Sequence, residues 1–180
     1  MRFHYLTIGE GPLALCLHGF PDSPHTYRYL LPELAEAGYR AVAPFNRGFA
    51  PTEVPSERRH VHTSTMVADA IALHEALGGD ESAVLTAHDW GRVPPRGPRP
   101  TRRSVGRRCA ILNIPPFQIF GENLFSYEQI KRSFYFWFFQ MQEVSAEIIS
   151  ANDFAFIDDI WGTGLPATTL RRTFRSGKKV

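Results

Sequence analysis

Cysteine is scarce in this sequence. Two residues, Cys16 and Cys109, stand in a chain of 180, too few for a disulfide framework, and neither sits in a CxxC-type metal-ligand spacing. A reducing, cytoplasmic setting is therefore the expectation. Long apolar runs are lacking too. The longest, Phe134 to Phe139, is far shorter than the roughly 20 residues a membrane-spanning helix needs. Met1 is followed at once by Arg2-Phe3-His4, with no apolar segment behind a charged start, so no signal peptide is read. What remains, 43% hydrophobic and 21% charged, fits one folded domain and excludes a disordered or fibrous class.

Acidic residues are missing from two stretches. Arg92 to Arg108 holds seven arginines and no acid, and Arg171 to Val180 holds three arginines and two lysines, again with no acid. Outside these stretches 18 acidic residues face eight basic ones. The bland formal charge of +2 thus hides an acidic protein interrupted by two basic patches.

Residues 1 to 91 have the texture of alternating strands and helices. Leu13 to Leu17 is an apolar run of buried-strand length, ended by the turn-forming His18-Gly19-Phe20-Pro21-Asp22-Ser23-Pro24. Tyr27, Leu30, Leu31, Leu34 and Ala35 recur at helical spacing from about His25, and Gly38 is placed to stop that helix. Arg40 to Pro44 reads as a second strand. Thr65 to Leu77 reads as a helix closed by Gly78-Gly79, and Ser82 to Ala87 as a third strand. Strands alternating with helices predict a mostly parallel sheet with flanking helices. After Gly91 the pattern breaks: Pro94, Pro95, Pro98 and Pro100 each remove a backbone donor and forbid a helix. Order returns at Cys109 to Asn113. Two helical stretches follow, one from Ser126 through Tyr127, Ile130, Phe134, Trp137 and Phe138, the other from about Val144 to Trp161.

Chemistry is concentrated in two short motifs. Ala87-His88-Asp89-Trp90-Gly91 directly follows an apolar strand. Small residues flanking a central side chain at a strand end permit the strained turn of a nucleophile elbow. The central residue here is Asp89, and a carboxylate nucleophile attacks an sp3 carbon to give an alkyl-enzyme ester. The plainer alternative is an aspartate capping a helix. The second motif, His18-Gly19-Phe20-Pro21, follows the strand Leu13 to Leu17. In an α/β-hydrolase layout such a loop supplies one backbone N–H of an oxyanion hole, and the residue after the nucleophile supplies the other. Those donors are Phe20 and Trp90. Alone, a His-Gly pair is better read as a satisfied turn histidine, and it is the two motifs in order, each following a strand, that shift the balance.

His18-Gly19-Phe20-Pro21, Ala41-Val42-Ala43-Pro44 with Arg47-Gly48, and His88-Asp89-Trp90-Gly91 together resemble the amino-terminal half of α/β-hydrolases of the epoxide hydrolase and haloalkane dehalogenase group. The resemblance covers residues 11 to 91 and resumes from about Ala110 to Trp161. It implies an α/β-hydrolase fold with the start of a helical cap from Ser126, Asp89 as nucleophile, and Phe20 and Trp90 as oxyanion donors. It also implies that His18, Gly19, Pro21, His88 and Gly91 support the two loops. Tyr135, five residues before Gln140, matches the cap tyrosine that donates to an epoxide oxygen, although an aromatic at helical spacing also suits a core. The substrate implied is a small molecule, an epoxide ahead of a haloalkane. Phe20 stands where the halide site of dehalogenases takes an amide and cannot donate from its side chain, while Trp90, Trp137 and Trp161 could. No metal, no other cofactor, no nucleic acid and no membrane enters this reading.

One part of the family's machinery has no counterpart. The resemblance calls for a histidine base and its orienting acid beyond the cap, but the seven histidines are His4, His18, His25, His60, His62, His74 and His88, all before Asp89. The expected organisation is an amino-terminal hydrolase core over 1–91 and an irregular Arg/Pro-rich segment over 92–108. A core strand and linker follow over 109–125, then a partial cap over 126–161 and an irregular basic tail over 162–180. The fold is thus expected to be incomplete and turnover impaired. Arg/Pro/Gly-rich text is what a shifted reading frame yields from GC-rich DNA, and codons for Arg103 to Gly106 exist that read Pro-Glu-Arg-Trp in a neighbouring frame. A different class, a non-catalytic chain whose arginine-rich arm binds nucleic acid phosphates, is weakened by the lack of interleaved aromatics in Arg92 to Arg108.

Overall fold

A computed structural model of the protein describes residues 1–57, 62–91, 105–106, 108–115 and 117–164. The chain forms two compact units, Met1–Pro115 and Pro116–Val180.

The first unit is built on a five-stranded sheet in the order β1-β3-β2-β4-β5. Its strands are β1 (Tyr5–Ile8), β2 (Leu13–Leu17), β3 (Arg40–Pro44), β4 (Val84–His88) and β5 (Arg108–Leu112). β1 runs antiparallel to β3, and the remaining pairs are parallel. The three strands expected within residues 1 to 91 are present, β4 shifted by one or two residues. β1 went unforeseen because its signal is faint: Leu6 packs inward while Tyr5, Thr7 and Ile8 are exposed.

β2 lies at the centre and is buried along its whole length. Its side chains alternate between two apolar clusters, as the period of two along a strand requires. Leu13, Leu15 and Leu17 join Val42, Leu85, Ala87 and Val105 on one side, against α2 (Thr63–Ala76) through Ala70. Cys16 joins Tyr27, Ala41 and Ala43 on the other, with Leu31 of α1 (Leu30–Glu36). Each fully buried leucine, such as Leu15 at 0% exposure, stabilises by about 1.5–3 kcal/mol.

The helix expected from His25 is split. Ser23 accepts from the His25 N–H at 3.4 Å and Pro24 opens a 3-10 turn, Pro24–Tyr27, before α1 begins. Tyr27 turns inward there, its hydroxyl donating to the Leu17 carbonyl at 2.8 Å. Gly38 and Gly78, both in the left-handed region at φ +85° and +70°, follow α1 and α2 as expected, because only glycine takes that conformation without steric cost. Arg47 of the segment after β3 makes a two-pronged ion pair with Asp69 of α2, both contacts 2.6 Å.

Most of the arginine-rich segment 92–108 lies outside the described residues, as does the tail from 165 on. The expectation of exposed, irregular chain is corrected at the described end of the first of these. Val105 is 2% exposed and joins the β2–β4 cluster, and Arg108 already pairs with Val84 in the sheet. A buried valine there finishes one edge of the core, which outweighs the local lack of periodicity.

In the second unit the two long helical stretches are broken into shorter ones: α4 (Tyr127–Arg132), α5 (Phe134–Phe138), α6 (Glu143–Ser150) and α7 (Ala155–Gly164). They are preceded by α3 (Phe117–Asn123), which the sequence reading did not resolve. Ser126 caps α4, accepting from the Gln129 N–H at 3.3 Å, and Ser133 interrupts the pattern before α5 with ψ at 27°. Gln142 at φ +43° and Asn152 and Asp153 at +50° and +55° bend the chain on either side of α6. α7 extends to Gly164, three residues past the limit read from periodicity. Among the described residues, no helix is long and apolar enough to cross a membrane.

Candidate active site

The strand order places the two motifs side by side. From β2 the chain goes to β3 on one side and then returns to β4 on the other, so the direction of winding reverses at β2. In open parallel sheets the crevice outside the carboxyl ends of the strands at such a reversal is where ligands bind. β2 ends at Leu17, paired with Ala87 of β4, so the turns after Leu17 and after His88 must meet.

Asp89 is the first residue beyond β4 and has φ +47°. A non-glycine residue there costs of order 1–3 kcal/mol and persists only where its surroundings hold it. The holding contacts are visible. The Phe20 N–H donates to Asp89 Oδ1 at 2.8 Å. A Cβ built on Gly19 would meet the Asp89 side chain and come within 2.8 Å of the Trp90 backbone nitrogen. One built on Gly91 would run into the Leu17 carbonyl. The glycines therefore stand where backbone from one turn presses on the other. The structure brings Gly19, Phe20, Asp89, Trp90 and Gly91 together as the two motifs require. Trp90 is 47% exposed and lines a pocket with Leu17, Asn46, Arg47 and Asp69.

His18 is fully buried, and both of its ring nitrogens are occupied. The Asn46 N–H donates to Nε2 at 3.1 Å, so Nδ1 carries the proton and donates to the Gly19 carbonyl at 3.0 Å. Burial pushes its pKa below the ordinary 6.5, keeping the ring neutral. Asn46 also donates from Nδ2 to the His18 carbonyl at 2.5 Å, and Phe49 sets its ring edge-on at 4.7 Å. His18 is thus a buried post that shapes the turn. Asn46 was missed in the sequence. The available signal was its place just beyond the carboxyl end of β3, on the same edge as both motifs.

Asp22, Tyr27 and His88 form the other flank. The Asp22 N–H donates to the Gly19 carbonyl at 3.2 Å, and its Oδ1 accepts from the Ser23 N–H at 2.7 Å. The Tyr27 ring stands 5.8 Å from the His88 ring. Burial, with Cys16 and Asp22 adding to it, raises the Tyr27 hydroxyl well above its ordinary pKa, so it stays protonated on the Leu17 carbonyl. Among the described residues no group of three or more His, Cys, Asp or Glu is disposed to hold a metal ion.

Tyr135 lies in α5 of the second unit, half-buried, in a cluster with Phe136 at 4.8 Å and Phe139 at 5.9 Å between ring centroids. Trp137 in the same helix is 40% exposed and 5.7 Å from Phe125.

Residues 12–91 match the family model of the alpha/beta hydrolase fold. Over 157 residues, 86% of this chain, the sequence is 32% identical to epoxide hydrolase 4 of Homo sapiens, of which it covers 43%. Over 176 residues, 94% of this chain, it is 31% identical to epoxide hydrolase 3 of Mus musculus, of which it covers 47%. Among solved structures, an epoxide hydrolase of Bacillus megaterium in complex with an inhibitor aligns with 94% of this chain and 61% of its own, at 28% identity and a TM-score of 0.77. The chain spans about half the length of the curated relatives it matches.

Proposed function

From an α/β-hydrolase fold whose relatives are epoxide hydrolases, we propose that this chain opens epoxides by attack of the Asp89 carboxylate. The observation that carries this reading is the Phe20 N–H held on Asp89 Oδ1 at 2.8 Å at the strand-reversal edge of the sheet. That bond distinguishes the two carboxylate oxygens. Oδ1, already bound to a donor, becomes the carbonyl oxygen of the ester, and Oδ2 is the attacking atom.

In the proposed step an Oδ2–carbon bond forms, the epoxide carbon–oxygen bond breaks, and its electron pair passes to the epoxide oxygen. That oxygen takes a proton from an acid, for which Tyr135 is the candidate. The product is a hydroxyalkyl ester of Asp89. Releasing it needs water to be deprotonated beside the ester carbonyl, with negative charge gathering on Oδ1, where the N–H groups of Phe20 and Trp90 are the candidate oxyanion donors. No histidine follows Asp89 in this sequence, and His18 has both ring nitrogens occupied. In a chain of these 180 residues alone the ester is expected to accumulate, which the adduct test reads directly.

The test is intact-mass spectrometry of the full chain with styrene oxide. The expected result is one adduct per chain, mapped to Asp89 and absent from Asp89→Asn, with negligible diol. Sustained diol production would overturn the single-turnover part of the reading. Labelling that survives Asp89→Asn, or no labelling of a chain shown to be folded, would overturn the assignment of the nucleophile.

A further inference from the structure

Among the described residues around Asp89, one buried ring nitrogen makes no hydrogen bond. His18 uses both of its nitrogens, Tyr27 spends its hydroxyl on the Leu17 carbonyl, and Asn46 is committed to His18. His88 Nε2 is buried and makes no hydrogen bond among the described residues. Facing it at 3.6 Å is Asp22 Oδ2, whose sister oxygen is occupied by the Ser23 N–H. Both side chains are little exposed, 16% for His88 and 13% for Asp22. At 3.6 Å the contact is longer than a hydrogen bond, but it sets a ring nitrogen and a carboxylate oxygen face to face with little solvent around them.

The two residues occupy telling positions in the chain. Asp22 lies in the turn that carries Phe20, two residues after it, and anchors that turn through its own N–H on the Gly19 carbonyl. His88 immediately precedes Asp89 at the end of β4. We propose that Asp22 and His88 form a positioning pair that ties the 18–24 turn to the elbow strand and so holds the Phe20 N–H on the Asp89 carboxylate. The pair does not touch the reacting atoms. It acts through Phe20, and it deepens the reading of Asp89 as nucleophile, on which its catalytic consequence rests.

A thermodynamic cycle tests the pair, using amide hydrogen exchange of the full chain, with residues 13–17 as an internal reference for residues 18–22. His88→Phe keeps a ring against Tyr27 and removes the nitrogens. Asp22→Ala is expected to speed exchange over 18–22 by about tenfold while leaving 13–17 unchanged. In the His88→Phe background the same substitution is expected to add less than about twofold. Asp22→Glu, which keeps the carboxylate and has the reach to close the gap, is expected to retain the parent's protection. An equal effect of Asp22→Ala in both backgrounds would overturn the proposal, as would equal acceleration of 13–17, because the residues would then serve general stability. The catalytic consequence is read separately: Asp22→Ala slows adduct formation on Asp89 by about tenfold with the half-saturating epoxide concentration unchanged. No adduct in the parent would refute the proposed chemistry, and the exchange cycle would still decide the pair.

Discussion

The backbone N–H of Phe20 donates to the side chain of Asp89 at 2.8 Å, across 69 residues of sequence. No local propensity makes that contact. It follows from the parallel pairing of β2 with β4, Leu17 against Ala87, which brings two turns to the same edge of the sheet. The turns then fit only because Gly19 and Gly91 have no side chains.

That fit gives the first prediction. A methyl group at Gly19 meets the Asp89 side chain itself, while one at Gly91 meets the Leu17 carbonyl. Each overpacking should cost about 1–3 kcal/mol, read as a lower urea midpoint. Gly19→Ala should in addition slow adduct formation by roughly 100-fold, since displacing a reacting group by about 1 Å has that effect. A Gly19→Ala chain that labels at the parent rate would remove the close approach from the account.

Tyr135 supplies a second. If its hydroxyl protonates the departing epoxide oxygen, Tyr135→Phe should slow labelling of Asp89 by roughly 100-fold, the lower end of what a general acid contributes. Thermal stability should change little, because the ring, which packs against Phe136, is kept. Unchanged labelling kinetics would make Tyr135 a packing residue only.

His18 makes stability depend on pH. Burial depresses its folded-state pKa below 6.5, opposed by its bond to the Gly19 carbonyl and by Asp22 and reinforced by His88. The unfolded chain therefore takes up a proton first as pH falls. Its contribution is complete above about pH 6.5 and is lost as pH drops from there toward the lowered folded value. Urea midpoints between pH 8 and pH 5 should show this decline, and His18→Gln, less stable throughout, should show a shallower one. Equal slopes would mean that the ring is not held neutral by burial.

Thiol labelling probes the centre of the sheet. Cys16 is fully buried and its thiol is pushed up to about 12 by that burial, while Cys109 is half-buried and raised by the same cause to a lesser degree. Since the thiolate is the reactive species, iodoacetamide at pH 8 should label Cys109 well before Cys16. Peptide mapping that finds both labelled at one rate would mean that β2 is not closed in.

The sequence by itself determined most of the strands of the sheet. The run Leu13 to Leu17 is buried because every residue in it is apolar, and its alternation assigns Cys16 to one face and Leu15 to the other. The motifs around Gly19 and Asp89 were legible because a tight turn leaves a mark in residue size: small residues stand where the backbone is crowded. β1 was not legible, since one inward residue, Leu6, makes no period. Nor was the break at Ser133, because six aromatics in a row, Phe134 to Phe139, satisfy any helical template and hide where the chain bends.

What only the tertiary structure decided is which groups meet. That Asn46 holds both ends of His18 and that Asp22 faces His88 are contacts between segments joined to different strands. Composition and spacing carry no record of them, because strand order and register set those distances. The same cause corrects Val105: in a proline- and arginine-rich segment nothing local calls for burial, but the sheet has an apolar gap at that edge and a valine fills it.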